Sequence, residues 1–317
     1  QYASSGEEFF EQTLALVQEG ISQRGLSRAS RSRISKSSIS RLWAQKSLEH
    51  LSKIRERALD QTSWIALMID GVFLGKDQCV VIALGIDEHG NKQVLDFEPG
   101  SSESVETVLR LLSRLLERGV KSCTTRRLLI VRDGSKAIQG AVARVWPEAL
   151  QQTCLVHLER NISDRLRRVD RVESRRLFRR LRQAQGFKAG SEAYGDLVRF
   201  VNQRNQEAAH QLRDQREAAL CLHRLEVPST LNITFLSSNL IENMISNWRA
   251  HTRHIKRWKL TSDMVSRWMA SGLLWAESGF RKIRHYEDLK YLKEALIAEA
   301  LASPSSPRST ASVEHVA

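Results

Sequence analysis

Two aspartates constrain this chain more than any other feature. Asp70 stands directly behind the apolar run Trp64-Ile65-Ala66-Leu67-Met68-Ile69, Asp133 stands behind Leu128-Leu129-Ile130-Val131-Arg132, and a glycine follows each. Apolar runs of this length bounded by turn residues read as buried strands. If the two strands are parallel neighbours, both carboxylates arrive at one edge of a sheet. Carboxylates forced together repel unless a cation lies between them. Taken singly, either residue is an ordinary turn aspartate, because Asp-Gly is a frequent turn dipeptide. As a pair behind two strands, with a helix between them, they point to a metal site.

The surrounding pattern predicts an α/β domain. Apolar runs at 79–85 and 93–97 follow the first strand, joined by short turns such as Asp87-Glu88-His89-Gly90-Asn91, so an antiparallel meander is expected. A helix at 102–118 comes next, capped by Ser101 or Ser102 and ended by Gly119, and it leads into the strand before Asp133. A helix at 136–145 stops before Pro147, a short strand is expected at 153–156, and a further helix begins near Leu158. Residues 161–225 are almost continuously helical in pattern and dense in arginine, with Gly186, Gly190 and Gly195 as expected breaks. The sequence thus divides into a helical segment at 1–60, a first α/β part at 61–160, an all-helical insertion at 161–235, closing helices at 236–302, and a tail at 303–317 of disorder-like composition.

The amino-terminal segment reads as helix, turn, helix. Ser35, Ser37 and Ser38 are capping candidates for its last helix, Ile39, Leu42 and Trp43 point inward, and Lys36, Arg41 and Lys46 face outward. That pattern suits a DNA-binding helix-turn-helix and equally a plain hairpin packed on the next domain. The chain carries 49 Lys and Arg against 36 Asp and Glu, a formal charge of +13, which favours a polyanionic partner. Four scattered cysteines without a signal peptide argue against a disulfide framework. No apolar run approaches the ~18 residues of a membrane span, so a soluble cytoplasmic protein with no membrane partner is expected. The first residue is Gln1, and residues upstream of it are expected to be missing.

Several local words extend the picture. They are Gly85-Ile86-Asp87 through Gly90; Glu103-Ser104 opening a helix that closes at Arg118-Gly119; Asp133-Gly134 before Ala137; Pro147 with Gln152-Thr153-Cys154-Leu155-Val156-His157 and Arg160-Asn161; and Asn239-Leu240-Ile241-Glu242. In this order and spacing the chain resembles the Mutator-type bacterial insertion-sequence transposases over about residues 70–296. The resemblance implies a ribonuclease-H-like domain interrupted by an all-α insertion. It also implies a catalytic and metal-binding triad of Asp70, Asp133 and Glu242. From residue type alone Glu242 is an ordinary first-turn glutamate; only the resemblance marks it as catalytic. One departure is Val108, near which the family usually carries a tryptophan.

The activity implied is metal-dependent cleavage of DNA at insertion-sequence ends followed by strand transfer into target DNA, on two magnesium ions, with manganese as a substitute, roughly 4 Å apart. DNA ends and target DNA are the expected partners, and pairing two ends implies a homo-oligomer on DNA. A catalytically inactive remnant that still binds DNA, and a nuclease that cuts without joining, are the alternatives. Cys154 and His157 form a Cys-x-x-His pair, but zinc needs four ligands and the next pair, Cys221 and His223, is distant. The resemblance instead places Cys154, His157 and Asn239 beside the acids as supporting residues. The basic stretch after Glu242 supplies Arg249, Arg253, Lys256, Arg257 and Lys259 as candidate DNA contacts, joined by Lys36 and Arg41. Trp248 and Trp258 in the same stretch are expected in the core.

Overall fold

The computed structural model describes residues 12–17, 19–29, 35–75, 78–122, 125–255, 258 and 262–302. Lys256, Arg257, Lys259 and the tail at 303–317 lie outside the described residues. The chain is an α/β protein built on one five-stranded mixed sheet. Its strands are β1 (Trp64–Phe73), β2 (Cys79–Asp87), β3 (Lys92–Gly100), β4 (Leu129–Arg132) and β5 (Leu150–Thr153), in the order β3-β2-β1-β4-β5. The first three form the expected antiparallel meander; β4 runs parallel to β1, and β5 parallel to β4.

Central strands buried on both faces need apolar residues throughout. In β1, Ile65, Ala66 and Met68 pack against one face with Ile82, Leu84 and Val131, while Leu67 and Ile69 pack against the other with Val81, Ala83 and Ile130. The second face is covered by α3 (Val105–Glu117) and α4 (Lys136–Val145), through Leu111, Leu112, Leu115, Ile138 and Val142. Helix α3 is capped by Ser104, whose hydroxyl accepts from the Thr107 amide, so it starts later than Ser101 or Ser102 would allow. Gly119 closes it at φ +100°, a conformation that a side chain would strain.

The first face carries all the later helices: α5 (Leu155–Asp164), α6 (Arg171–Gln183), α7 (Gly186–Asn202), α8 (Gln206–Ala219), α9 (Cys221–Arg224), α10 (Asn232–Phe235), α11 (Asn239–Thr252), α12 (Met264–Ser278) and α13 (Leu289–Ala302). Their apolar sides form one continuous core with the sheet, running from Met68 and Val131 through Leu158, Phe178, Tyr194 and Leu212 to Trp248, Leu273 and Leu296. Residues 161–225 are helical as predicted, but only one of three glycines breaks a helix. Gly186 opens α7 at φ +73°, whereas Gly190 and Gly195 lie within it. At Gly190 the glycine serves packing, since a Cβ there would stand 2.7 Å from the His223 ring. The strand expected at 153–156 is shifted. β5 ends at Thr153, and Cys154 already caps α5.

Ahead of the sheet lie α1 (Gln23–Ala29) and α2 (Lys36–Arg55). Ser35 caps α2 by accepting from the Ser38 amide at 3.1 Å. The hairpin turns its apolar side inward: Leu14, Val17, Leu26, Ile39 and Trp43 cluster with Trp268 of α12, the Trp43 and Trp268 rings 4.7 Å apart. Gly25 lies inside α1. Helix α2 is also fastened to the sheet by charge. Asp96 of β3, fully buried, receives Arg55 from α2 and Arg114 from α3 at 2.8 and 3.0 Å, and Arg118 at 3.2 Å. A buried carboxylate persists only when ions and donors surround it in this way.

Candidate active site

The register of β1 against β4 brings the first two acids together. Ile69 pairs with Arg132 as the last parallel partners, so Asp70 and Asp133 are the next residue on each neighbouring strand. Side chains alternate along a strand, which puts Asp70 on the Met68 face and Asp133 on the Val131 face, the side covered by α5 and α11. β1 does not stop at Asp70 as the sequence suggests; it stays paired with β2 as far as Phe73 opposite Cys79. The site therefore begins where the parallel pairing ends, with β1 still running on beneath it. Asp133 is braced on two sides. Its carboxylate accepts from the Ser135 amide at 2.8 Å, and its carbonyl accepts from the fully buried Arg132 guanidinium at 2.7 Å.

Glu242 reaches the same place from the first turn of α11. The three acids feel one another through space. Burial, with help from the charges of Asp133 and Glu242, pushes the Asp70 carboxyl up to about 7 against the opposing pull of His157 and the Gly71 amide.

The Cys-x-x-His pair lies against Glu242 through a residue that sequence reasoning passed over. The Ser238 hydroxyl is 2.7 Å from Glu242 Oε1, 3.2 Å from His157 Nδ1 and 3.2 Å from Cys154 Sγ. Cys154 Sγ also accepts from the amides of Ser238 at 3.2 Å and His157 at 3.4 Å. One hydroxyl carries one proton, and the shortest contact assigns it to Glu242, leaving the Ser238 oxygen to accept from His157. The Cys154 bond, joined by the charges of Asp70 and Glu242, raises His157 to about 9 and keeps it a cation near neutrality. Burial works to raise the Cys154 thiol, yet the bonds from His157 and Ser238 outweigh it and bring it below its usual range. Asn239 is exposed in the first turn of α11, and no described hydrogen bond joins it to the acids. The supporting role next to it falls to Ser238, whose sequence signal is a hydroxyl one helical turn before the glutamate.

A fourth carboxylate borders the site. Gly71 is flanked by Glu103, just before α3, so closely that a Cβ on Gly71 would stand 2.2 Å from Glu103 Oε2. Glu103 is bonded to the Ser135 side chain, and burial followed by the Asp133 charge raises its carboxyl. Its position was visible only as part of the word Glu103-Ser104.

Among the described residues, Cys154, His157 and Glu242 bring one ligand atom each to within 4.8 Å of one another. A closed zinc site takes four ligands, and these three atoms already share Ser238. Cys221 and His223 do not complete the set: both are buried in α9, where the His223 ring bonds the Leu181 carbonyl. Asp70, Asp133 and Glu242 offer hard carboxylate oxygens of the kind magnesium takes.

Of the candidate DNA contacts, Lys36 and Arg41 are exposed on α2, and Arg249 and Arg253 are exposed at the end of α11. Trp248 is buried and stacks on the partly buried Trp258 at 5.8 Å, so both are core residues as expected. No described helix is long and apolar enough to cross a membrane.

An α/β sheet with two aspartates side by side where the parallel pairing of β1 and β4 ends, a glutamate brought to them by a later helix, and a Cys-x-x-His pair alongside defines a class of carboxylate-centred proteins. The chain belongs to the Mutator family of transposases, whose family model matches residues 1–260. It is similar to the transposase for insertion sequence element IS905 of Lactococcus lactis, with 26% identity over 65% of this chain and 52% of the relative. The transposase for element IST2 of Acidithiobacillus ferrooxidans is 25% identical over 66% of this chain and 65% of the relative. That for ISRM5 of Rhizobium meliloti is 34% identical over 38% of this chain and 31% of the relative. The match thus spans about half the length of the first of these relatives.

Proposed function

We propose that this chain is a DNA transposase that cuts insertion-sequence ends and joins them to target DNA, with Asp70, Asp133 and Glu242 as its metal-binding catalytic residues. The observation that carries the reading is the parallel register Ile69 with Arg132, which sets Asp70 and Asp133 side by side at the sheet edge reached by Glu242. The strand order β3-β2-β1-β4-β5, with three antiparallel strands and two parallel ones, supports a ribonuclease-H-like domain. On this reading residues 161–235 are the helical insertion between the second and third acids, the described residues of 1–60 a helical segment packed against α12, and the described residues of 236–302 the closing helices.

The donor set fits magnesium or manganese. Three carboxylates in one half-buried place, with burial first and the charges of Asp133 and Glu242 after it raising the Asp70 carboxyl, form a group that a divalent cation would relax. When bound, a pair of such ions supplies charge to the scissile phosphate and lowers the pKa of the attacking water or hydroxyl. The protein's own residues do the rest. Asp133 is fixed by the Ser135 amide and by Arg132, Glu242 is aimed by Ser238, and the His157 cation beside Glu242 offsets part of the carboxylates' negative charge. Water attack on a phosphodiester breaks its P–O3′ bond and frees a 3′-hydroxyl. That hydroxyl, in the same site, attacks a target phosphodiester and displaces the next 3′ oxygen, so no covalent protein intermediate is required. Pairing two ends implies a homo-oligomer on DNA.

The deciding measurement is magnesium-dependent cleavage of a labelled DNA bearing the element's own terminal repeat. Asp70→Asn, Asp133→Asn and Glu242→Gln should each lower the rate by about 100-fold or more, the effect of removing a few kcal/mol of transition-state stabilisation, with DNA binding retained. A wild-type protein that binds this end and never cuts it would make the chain a DNA-binding remnant.

A further inference from the structure

We propose that α5 and α6 form a DNA-backbone cleft that leads away from the candidate active site, an inference that rests on the transposase reading above. Three recesses adjoin one another on this side of the molecule. One, of about 560 Å³, is lined by Ser237 and Asn239 at the start of α11 and shares Val156 and Arg182 with the next. The second, of about 370 Å³, is walled by Arg160 on α5 and by Arg171, Arg175 and Arg182 on α6. The third, of about 460 Å³, continues from Arg171 and Arg175 to Arg168. The trough thus begins beside Ser238, which holds Glu242, and ends at the start of α6.

Its chemistry is that of a phosphate track. Guanidinium forks match phosphate oxygens, and a row of them suits a polymer better than one small anion. Arg171, Arg175 and Arg182 recur at helical spacing along one stripe of α6. From Arg171 to Arg182 the helix rises about 16 Å, the length of about five base pairs of duplex. Arg182 is held by Glu159 at 2.5 Å, and the Arg171 Nε donates to the Leu166 carbonyl at 3.1 Å. In contrast, none of the described ion pairs or side-chain hydrogen bonds engages the side chains of Arg160, Arg168 or Arg175. Ser163, which also lines the second recess, is 6% exposed, and its hydroxyl has no hydrogen-bond partner. A buried hydroxyl without a partner is uncommon, and a phosphate oxygen would supply one. Asp164 also borders this recess, leaving the arginines in excess.

The test uses the whole chain and two duplexes of equal length, one with the terminal repeat and one scrambled, titrated with salt. A variant with Arg160→Gln, Arg168→Gln and Arg175→Gln should bind both duplexes more weakly by the same factor, and the slope of log affinity against log salt should fall by about two to three. In parallel, on the wild type, bound DNA should protect Arg160 and Arg175 from phenylglyoxal, read by mass spectrometry; this arm does not depend on how the variant folds. Unchanged slope with no protection overturns the cleft while leaving the transposase reading intact. Protection by single-stranded RNA and not by DNA also overturns it. A wild type that binds neither duplex defeats both proposals together.

Discussion

At the scale of single residues, the site depends on small groups in tight places. Ser238 is the clearest case, since its one hydroxyl touches Glu242, His157 and Cys154. Ser238→Ala should slow cleavage about tenfold, the value of one hydrogen bond to a charged group, while Ser238→Thr, which keeps the hydroxyl, should recover most of the rate. Single-turnover cleavage measures both, and equal loss in the two variants would show that size matters and not the bond. Gly71 makes the complementary argument. A methyl group there would collide with Glu103, so Gly71→Ala should destabilise the fold by about 1–3 kcal/mol. The same change made together with Glu103→Ala should destabilise by less, as denaturant unfolding of the double-mutant cycle would read. Asp70 and Asp133 were legible because an apolar run followed by Asp-Gly is a local pattern; it marks a true strand exit at Asp133, while at Asp70 only the parallel pairing with β4 ends and β1 runs on to Phe73. Ser238 and Glu103 were not, because their importance arises from contacts with segments far off in sequence, which no local pattern encodes.

At the scale of elements, the meander, α4 and the strand before Asp133 follow the sequence closely, since periodicity and turn residues agree there. The misplaced β5 has a physical cause. Thr153-Cys154-Leu155-Val156 reads as an apolar strand, yet Cys154 caps α5 with its sulfur, and cysteine is outside the usual capping set. Helix α11 shows how packing overrides a basic pattern. His251 lies in a stretch read as a phosphate-facing surface, but it is buried, stacked on Trp275 at 5.2 Å, with neither ring nitrogen hydrogen-bonded. Burial, followed by the nearby His254 and His50, lowers its pKa to about 4. The folded state thus resists a proton that the unfolded chain accepts near 6.5. Between pH 6.5 and 4 the unfolded state holds more protons, so this group makes stability fall as the pH drops, approaching ~1.4 kcal/mol per pH unit. Above pH 6.5 it contributes no pH dependence. His251→Leu should flatten that part of a thermal-unfolding profile against pH; an unchanged slope would assign the acid sensitivity to other groups.

At the scale of the whole molecule, α/β class and the helical character of 161–225 were open to sequence reasoning, while the shared core was not. The pattern suggested a separable helical unit, yet Phe178, Tyr194 and Leu212 belong to the same apolar interior as Met68 and Val131. Long-range packing of this kind leaves no periodic trace in the chain. The assembly of the site from distant stretches has a consequence for the timing of synthesis. Asp70 and Asp133 leave the ribosome early, while Glu242, the Ser238 that aims it, and α12 and α13 that share its core emerge only after the arginine-rich helices are complete. If the three acids cut DNA together, a nascent or prematurely terminated chain would be inert toward the template that encodes it, and the ability to cut would appear only once Glu242 and the helices that pack beside it have been made.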